Sequence, residues 1–482
     1  MDERSAINSV STGLFINGRW ESTEKTMPVI DPSTGKALCE IADASPAEGA
    51  KALDAAAAAQ ADWAATPPRE RSEILYRAYD LIKKDAERLA LIMTLEMGKP
   101  LAESRGEVNY GAEFFRWFAE EAVRIDGGYR SAPTGDSRFV VMHQPVGPSI
   151  LITPWNFPLA MATRKIGPAI AAGCTSVIKP ASQTPLCTLA LADILVQAGL
   201  PDGVVNVVTT SQTDDVMAPL IRDPRSRKLS FTGSTPVGKH LLNLASETVM
   251  RTSMELGGNA PFIVFADADM DAAIEGALAA KMRNIGQACT AANRIYVERS
   301  VADAFSEKLS ERMAKLRMGR GVEDDVVVGP LINQAAIDKI EQLINDATNR
   351  GANLKLGGEA VEGDGYFFPA TVLTDVPAEA DVNSTEIFGP VAPITPFDTE
   401  EEVVKLANNT PYGLISYLYT QNLQRAFRVS EALEAGMVGL NKGVISNPAA
   451  PFGGVKESGL GREGGFTGID EFLDTKYIGM DL

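Results

Sequence analysis

From residue 146 onward, short strand-like runs alternate along the chain with helical stretches. The runs lie at 149–153, 175–178, 204–208, 228–231 and 261–265, and helical patterns such as 159–172 separate most of them. This β-α-β-α order is typical of a parallel, doubly wound sheet with helices on both faces. A second α/β block runs from about 257 to 443, with helices near 269–285, 301–316, 333–350 and 399–408. The alternation therefore predicts an α/β fold with two doubly wound domains.

The first 145 residues follow a different, mainly helical pattern. An alanine-rich helix at 50–65 ends at two prolines, a second helical pattern covers 70–97, and a third extends to about 125. A Gly-Gly pair then opens an alternating, hairpin-like segment that reaches about 145. At the other end of the chain, the tail from 464 finishes in a short strand-like run. The sequence thus predicts three helices and a hairpin ahead of the first sheet.

The composition indicates a soluble protein without a nucleic-acid partner. The 482 residues are 45% hydrophobic, which is enough for two or three packed domains. We expect no signal peptide, and no apolar run reaches the roughly 18 residues that span a bilayer. The net charge of −18 argues against DNA or RNA as a partner. We therefore expect a cytoplasmic protein that binds neither nucleic acid nor membrane.

Cysteine and histidine are scarce, which limits the available chemistry. The histidines are His143 and His240, and the cysteines are Cys39, Cys174, Cys187 and Cys289. No Cys-x-x-Cys pair occurs, and the spacing indicates neither a disulfide framework nor a zinc site. We therefore expect no metal, and we expect acid–base work to fall to carboxylates or lysines.

Two loops at predicted strand ends carry candidate ligand-binding residues, since ligands bind at the carboxyl ends of such strands. T-P-W-N-F-P at 153–158 holds Asn156 between prolines, and its amide can donate to a developing oxyanion. The alternative is a proline-stiffened turn. Lys179 ends the next strand and can reach a phosphate or ribose hydroxyls. Alternatively, Lys179 is solvated and Ser182 caps the following helix.

A third loop, F-T-G-S-T-P-V-G-K at 231–239, leads from a strand into a helix N-terminus, which favours anions. It matches the P-loop pattern G-x-x-x-x-G-K up to the last position. There His240 replaces the Ser or Thr that holds Mg²⁺ in a P-loop. A P-loop-type nucleotide-binding protein is therefore an alternative of a different class.

Three further motifs carry groups suited to covalent chemistry. Glu255 precedes two glycines and could be an exposed base, or a surface residue before a turn. Cys289 follows a predicted helix and a Gly turn. Its thiolate would be a strong nucleophile, although a buried core cysteine is the common alternative. Glu386 and Phe388, in E-I-F-G-P, could hold ribose hydroxyls and brace a nicotinamide ring, or form a turn at a domain joint.

Taken in order, T-P-W-N-F-P, F-T-G-S-T, E-L-G-G-N, G-Q-x-C and E-I-F-G-P resemble the aldehyde dehydrogenase superfamily over nearly the whole chain. The resemblance implies oxidation of an aldehyde to a carboxylic acid, with Cys289 as nucleophile and Glu255 as base. Asn156 and the Cys289 backbone N–H would form the oxyanion hole, and Lys165 and Glu463 match the proton-relay positions. The matching cofactor residues are Thr153, Trp155, Lys179, Ser182, Gly233, Ser234, Glu386 and Phe388.

The cofactor implied is NADP, with NAD also possible. Members that use NAD often have Glu at the position of Ser182, where the carboxylate accepts bonds from ribose hydroxyls and repels a 2′-phosphate. Ser182 removes that repulsion, and Lys179 supplies a positive charge.

Longer matches, V-I-K-P-A-S-Q-T-P, E-L-G-G-N-A-P-F-I-V-F and P-F-G-G-V-K-E-S-G-L-G-R-E-G, resemble bacterial succinate-semialdehyde dehydrogenases. In that group two arginines and a serine hold the distal carboxylate of the substrate, and Arg164, Arg283 and Ser446 match them. Each arginine could instead belong to a structural ion pair. Glutarate semialdehyde or another carboxylated aldehyde is the alternative substrate. Ala291 stands where some members have a second cysteine, so no disulfide switch is available in this loop.

The resemblance also implies a domain layout. A cofactor-binding domain would comprise 1–124 and 146–256, and a catalytic domain 257–443. A small β oligomerisation element would comprise 125–145 and 464–482, while 444–463 would return to the cofactor domain and the substrate entrance. A homodimer or homotetramer is implied with it.

Two relatives with other activities are rival interpretations. One is a catalytically silent relative, against which Cys289, Glu255 and Asn156 all count. The other is a CoA-acylating member, which Glu255 disfavours because a base at this position supports hydrolysis by water.

Overall fold

The computed structural model describes residues 2–481. The chain begins with helix α1 (Glu3–Asn8) and strands β1 (Leu14–Ile16), β2 (Arg19–Glu21), β3 (Thr26–Asp31) and β4 (Lys36–Ala42). Helices α2 (Pro46–Ala65), α3 (Pro68–Lys84), α4 (Ala86–Met97) and α5 (Leu101–Ala122) follow, and then the hairpin strands β5 (Gly128–Ser131) and β6 (Ser137–Pro145). Helix α2 starts at a capping box, in which the Glu48 carboxylate accepts the Ser45 N–H at 2.8 Å.

The single helix predicted over 70–97 is wrong, because the chain bends at Asp85 between α3 and α4. Asp85 has φ −100° and ψ 14°, and its carboxylate accepts from Arg88 Nε at 2.8 Å. Asp has a low helix propensity because its side chain offers the chain competing polar contacts. The strands β1–β4 were not predicted from the sequence.

The first alternating block contains the elements expected of a doubly wound domain. In order they are β7 (Ser149–Ile152), α6 (Pro158–Ala172), β8 (Ser176–Lys179), α7 (Leu186–Gln197), β9 (Val205–Val207), α8 (Thr213–Arg222), β10 (Lys228–Thr232), α9 (Thr235–Ser246) and β11 (Arg251–Glu255). Every predicted strand run overlaps an observed strand to within two residues at each end.

The second block follows the same alternation with longer connections. Its elements are β12 (Ala260–Val264), α10 (Met270–Met282), β13 (Ala292–Glu298), α11 (Arg299–Ala314), α12 (Gln334–Asn349), β14 (Asn353–Leu356), β15 (Thr371–Thr374), α13 (Asp381–Ser384), β16 (Val391–Phe397), α14 (Glu400–Asn408), β17 (Tyr412–Gly413), β18 (Ile415–Tyr419), α15 (Leu423–Ala432) and β19 (Met437–Leu440). The tail adds β20 (Val455–Lys456), β21 (Gly459–Leu460) and β22 (Leu473–Asp481).

Two large sheets and one three-stranded sheet contain most of the strands within 2–481, and β3 pairs with β4 and β17 with β20 in two-stranded sheets. The first has the order β2-β1-β9-β8-β7-β10-β11-β21, and the second β14-β15-β16-β13-β12-β18-β19. Strands β7 to β11 are mutually parallel where they pair, as are β12, β13, β15, β16, β18 and β19. The three-stranded sheet has the antiparallel order β22-β6-β5. The predicted α/β fold is confirmed.

Helix α5 supports the loop that follows β7. It packs along α6, and its own Phe114, Phe115 and Phe118 are fully buried. Burial of this kind contributes roughly 1.5–3 kcal/mol for each large apolar side chain, so the position of α6 against α5 is strongly fixed. None of the helices within 2–481 is both long and apolar enough to cross a membrane.

Candidate active site

A cavity of about 360 Å³ opens where the carboxyl ends of β7, β10 and β11 face the second α/β block. These three strands are neighbours and run parallel, so the loops that follow them meet at one edge of the sheet. The predicted residues that line the cavity are Trp155, Asn156, Arg164, Gly233, Ser234, Glu255, Arg283, Cys289, Glu386, Phe388 and Ser446. Residues from distant parts of the sequence thus share one space.

Cys289 is half-buried at the end of an irregular loop that follows α10. The loop contains a tight turn over Arg283–Gly286, in which Asn284, Ile285 and Gly286 all have positive φ. Gly286 has φ +76°, and a Cβ there would lie 2.1 Å from the Gly389 carbonyl oxygen. Only glycine permits this approach between the cysteine loop and the E-I-F-G-P turn. Burial raises the pKa of the Cys289 thiol to about 12, so the resting group is a neutral thiol that needs a base.

Glu255 ends β11 and lies in the same cavity, 3% exposed. Neither carboxylate oxygen has a hydrogen-bond partner among residues 2–481. Burial, with the nearby charge of Glu463, raises the pKa of Glu255 well above its usual value. A buried carboxyl group without partners is costly to keep, and such groups occur where a proton must be taken up or released.

Behind the cavity wall, a buried network joins Glu463 to two cations. Lys165 Nζ lies 2.5 Å from Glu463 Oε1, and Arg164 Nε lies 2.5 Å from Glu463 Oε2. Lys165 also donates to Ser230 Oγ at 2.9 Å. Burial opposes ionisation of Glu463, but Arg164 and Lys165 outweigh it and hold the pKa of this carboxyl below its ordinary value. Lys165 and Glu463 are therefore in contact with each other but are not part of the cavity lining.

Asn156 is buried in the loop between β7 and α6. Its Nδ2 donates to the backbone carbonyl of Gln287 at 3.1 Å, two residues before Cys289. This bond ties the loop of the predicted oxyanion donor to the loop of the predicted nucleophile.

The other wall of the cavity is cationic. Arg283 lies 4.7 Å above the Phe157 ring, and its Nη1 is 3.4 Å from Ser446 Oγ. It forms no ion pair within residues 2–481, whereas Arg164 is already paired with Glu463. Arg164 also lies 4.4 Å above the Phe452 ring. An anionic group that enters here meets one free guanidinium and one neutralised guanidinium.

A turn from the second block closes the opposite side. Glu386 Oε1 accepts the Gly258 N–H at 3.0 Å, and burial raises the pKa of Glu386 to about 7. Lys339 donates to the Glu386 carbonyl at 2.6 Å. The Phe388 ring packs edge-on against Trp155, with 5.4 Å between centroids. This side presents a carboxylate and two aromatic rings to the cavity.

Thr153, Lys179 and Ser182 lie beyond the cavity lining, at the neighbouring ends of β7 and β8. The Thr153 N–H donates to the Lys179 carbonyl at 3.2 Å. Lys179 is 6% exposed and its ammonium has no ion-pair or hydrogen-bond partner within 2–481, and burial lowers its pKa to about 8. Ser182 is half-buried, with its hydroxyl 3.3 Å from Gln183 Oε1.

The N-terminus of the helix after Gly233 suits an anion, but the segment lacks the hydroxyl residue that a P-loop requires. Ser234 caps α9 with extended backbone and without a side-chain bond, so the first N–H groups of the helix lack an intrahelical partner. His240, at the P-loop hydroxyl position, instead contacts Asp214 at 2.8 Å on the protein surface. No hydroxyl for Mg²⁺ is available there, which removes the P-loop alternative.

Several buried polar residues that hold the site together were not predicted from the sequence. Lys99, Glu107 and Asn284 bond to the loops around Asn156 and Cys289, and Lys339 bonds to the Glu386 turn. A lysine between Gly98 and Pro100 at the end of an apolar helix was a usable signal, because a charge there is either solvated or paired.

Comparison with known proteins agrees with this geometry. Residues 20–478 match the aldehyde dehydrogenase family. The chain is 58% identical, over 92% of its length and 98% of the other, to a succinate-semialdehyde dehydrogenase of Paenarthrobacter nicotinovorans. It is 49% identical to a glutarate-semialdehyde dehydrogenase of Pseudomonas putida, over 96% of each chain. A solved structure described as an Escherichia coli NADP-dependent enzyme superposes with a TM-score of 0.97 at 49% identity, covering 98% of this chain and 99% of that one.

Proposed function

The chain belongs to the aldehyde dehydrogenase family, and we propose that its substrate is a semialdehyde with a distal carboxylate, succinate semialdehyde above all. It is an NAD(P)-dependent enzyme that oxidises an aldehyde to a carboxylic acid. The observation that carries the substrate proposal is the unpaired Arg283 guanidinium beside Ser446, in the same cavity as Cys289 and Glu255.

The first step assigned to the chain is attack on the aldehyde. The Cys289 thiolate adds to the carbonyl carbon and forms a thiohemiacetal. The Asn156 amide and the Cys289 backbone N–H donate to the oxygen as it gains negative charge. Because burial raises the pKa of Cys289, the thiol must first give its proton to water or hydroxide in the cavity, and the thiolate then attacks. A bound NAD(P) supplies a hydride acceptor, and the carbon then remains on Cys289 as a thioester.

The second step is hydrolysis, for which Glu255 is the proposed base. Its carboxylate oxygens have no protein partner within 2–481, so they are available to a water molecule. A raised pKa brings the carboxyl closer to neutrality, where a general base works best. The contact between Lys165 and Glu463 supports their proposed role in carrying the proton away.

The substrate's anionic end is assigned to Arg283, Ser446 and Arg164. A guanidinium binds a carboxylate through paired N–H donors, and Arg283 is free to do so. Arg164 adds positive potential, although Glu463 already neutralises it. Glutarate semialdehyde is one methylene longer and remains the second candidate, supported by the similarity to a glutarate-semialdehyde dehydrogenase.

For the cofactor we propose NADP in preference to NAD. The fit rests on Lys179, a buried cation without a partner at the end of β8, and on Ser182, a neutral residue nearby. The 2′-phosphate of NADP would supply the negative partner that the Lys179 ammonium lacks within 2–481. The uncapped α9 N-terminus at Gly233 and Ser234 suits the pyrophosphate.

The remaining cofactor contacts are assigned to the opposite side of the cavity. Glu386 would accept the nicotinamide ribose hydroxyls, and the packed rings of Phe388 and Trp155 would brace the base. Thr153 would lie beside the dinucleotide at the end of β7.

The proposed domains follow the sheets. Residues 1–124 and 146–256 form the cofactor domain, 257–443 the catalytic domain, and 125–145 with 464–482 the oligomerisation element. Within 2–481, β22 pairs only with β6, and β19 ends the second large sheet. Free strand edges of this kind are templates for pairing with another chain, which supports a homodimer or homotetramer.

A substrate and cofactor panel tests the proposal. We expect kcat/KM to be highest for succinate semialdehyde with NADP, lower for glutarate semialdehyde, and lowest for butanal, which has the length of succinate semialdehyde without the carboxylate. The formation of reduced dinucleotide is followed by absorbance. Equal kcat/KM for butanal and succinate semialdehyde would reject the substrate assignment, and a preference for NAD would reject the cofactor assignment.

A further inference from the structure

We propose that Asn284, supported by the buried pair Lys99–Glu107, sets the orientation of the Asn156 amide relative to Cys289. This inference rests on the oxyanion role proposed above for Asn156. None of the three supporting residues lines the cavity. They act through Asn156 and are therefore positioning residues.

Two donors converge on the backbone carbonyl of Asn156. Lys99 Nζ donates to it at 2.7 Å and Asn284 Nδ2 at 3.0 Å. The same Asn284 amide donates at 3.0 Å to the Gln287 carbonyl, which also accepts from Asn156 Nδ2. Asn284 therefore bridges the two carbonyls that fix the Asn156 backbone and the Asn156 side chain. With one N–H of Asn156 directed to Gln287, the amide has one further N–H for an oxyanion.

The pair Lys99–Glu107 holds the same loop from its other end. Both side chains are buried, and Lys99 Nζ lies 2.5 Å from Glu107 Oε2. The other Glu107 oxygen accepts the N–H groups of Leu159 and Ala160 at 3.0 and 3.2 Å. Helix α6 has no side-chain cap of its own, so Glu107 satisfies its first turn from α5. Asn156 is thus fixed both at its carbonyl and through the helix that begins two residues later.

Stability alone does not account for this arrangement. A buried ion pair is often no more stable than a well-packed apolar pair of the same size. Asn284 and Ile285 also have left-handed backbones, with φ of 50° and 62°. Such conformations are strained in a β-branched residue such as Ile285, and strained backbone concentrates at functional sites. The Asn284 N–H, held by Glu103 Oε2 at 2.7 Å, keeps the strained turn against α5.

The test is Asn284→Gly. Glycine adopts positive φ without strain, and the backbone N–H that reaches Glu103 remains, so the variant loses only the side-chain bonds to the two carbonyls. We expect kcat with succinate semialdehyde to fall about 10- to 100-fold, since removal of a whole oxyanion donor costs about 100- to 1,000-fold. KM for the aldehyde and Kd for NADP should stay within about twofold, because Arg283 and Lys179 are untouched.

Two further variants separate positioning from a general effect. Asn284→Asp keeps the size and the tolerance for positive φ but has at most one O–H donor, so it cannot bond both carbonyls as the amide does and should lower kcat as well if the glycine variant folds poorly. Asn17→Gly is the matched control: Asn17 also has positive φ, 49°, and lies in the exposed turn between β1 and β2. It should leave kcat unchanged.

A double-mutant cycle with Asn156→Ala decides whether Asn284 works through Asn156. If it does, Asn284→Gly should lower kcat by less than about threefold when Asn156 is already alanine. Losses that multiply in the double variant would overturn the proposal, as would a wild-type kcat for Asn284→Gly beside an impaired Asn156→Ala. A wild-type kcat for Asn156→Ala would instead reject the oxyanion assignment itself, and the positioning role with it.

Discussion

Replacement of Arg283 by alanine should convert the enzyme from one that prefers a charged aldehyde to one that hardly distinguishes charged from neutral aldehydes. Arg283 is half-buried at the cavity and stacks on Phe157, and its side chain has one hydrogen-bond partner within residues 2–481, Ser446 Oγ at 3.4 Å. No carboxylate within residues 2–481 forms an ion pair with it. Its removal therefore breaks no ion pair within those residues, and the interaction expected to be lost is the one with the substrate.

The size of the effect follows from the type of bond. A hydrogen bond to a charged group is worth about 1.5–3 kcal/mol. This corresponds to a loss of about 10- to 150-fold in kcat/KM for succinate semialdehyde, while butanal should lose less than about threefold. Arg283→Lys keeps the charge but lacks the two-pronged guanidinium, so its loss should be intermediate.

Arg164→Ala provides the contrasting case. Arg164 pairs at 2.5 Å with Glu463, and both side chains are buried. Its loss leaves Glu463 with Lys165 alone, and breaking a buried pair costs about 3–5 kcal/mol of stability. We expect lower activity with both aldehydes and a lower unfolding temperature.

The assay is steady-state reduction of NADP with each aldehyde, beside thermal unfolding. Equal losses for succinate semialdehyde and butanal in Arg283→Ala would refute the assignment of Arg283 to the distal anion.

Three further predictions concern catalysis and the cofactor. Cys289→Ser should abolish oxidation while NADP binding and thermal unfolding stay unchanged, since a serine hydroxyl is a poor nucleophile without a strong base; near-normal turnover would exclude the covalent route. Glu255→Gln should keep a single-turnover burst of reduced cofactor but slow the steady state, and it should remove a rise of kcat with pH. The wild-type enzyme should show that rise because the pKa of Glu255 lies above its usual value, so the basic form appears only as pH increases. A missing burst in Glu255→Gln would mean that Glu255 activates Cys289 first. Ser182→Glu should lower kcat/KM for NADP and spare NAD, because the new carboxylate repels a 2′-phosphate; equal weakening of both cofactors would contradict this account of the phosphate site.

The order of strand and helix patterns along the chain was sufficient to predict the two α/β blocks. The β-α-β-α alternation predicted the parallel sheets, since a strand period followed by a helical pattern leaves few other arrangements. It failed at Asp85, where one residue divides a continuous apolar pattern into α3 and α4. It also missed the short strands β1–β4, because three to seven residues carry too little periodicity to identify them.

The candidate site was also predicted only in part from the sequence. Motifs predicted roles for Cys289, Glu255, Asn156 and Glu386, because a nucleophile, a base and an oxyanion donor need particular side chains in particular loops, and the structure places all four in one cavity. The resemblance to a known family, rather than any spacing, supplied their order of action. Residue types alone could not tell whether an arginine was free or paired.

Only the tertiary structure decided those relations. Glu463 pairs with Arg164 across almost three hundred residues of sequence, and this contact leaves Arg283 as the guanidinium of the cavity without an ion pair within residues 2–481. Lys99 reaches the Asn156 carbonyl because α5 packs on α6, and Asn284 reaches it because the cysteine loop adopts a left-handed turn. The sequence by itself determined the order of strands and helices from residue 146 onward and the side chains proposed for the chemistry, since both depend on local pattern. Which charges neutralise one another, and which amide lies in the same cavity as the thiol, depend on distances between segments far apart in the chain, and packing alone sets those distances.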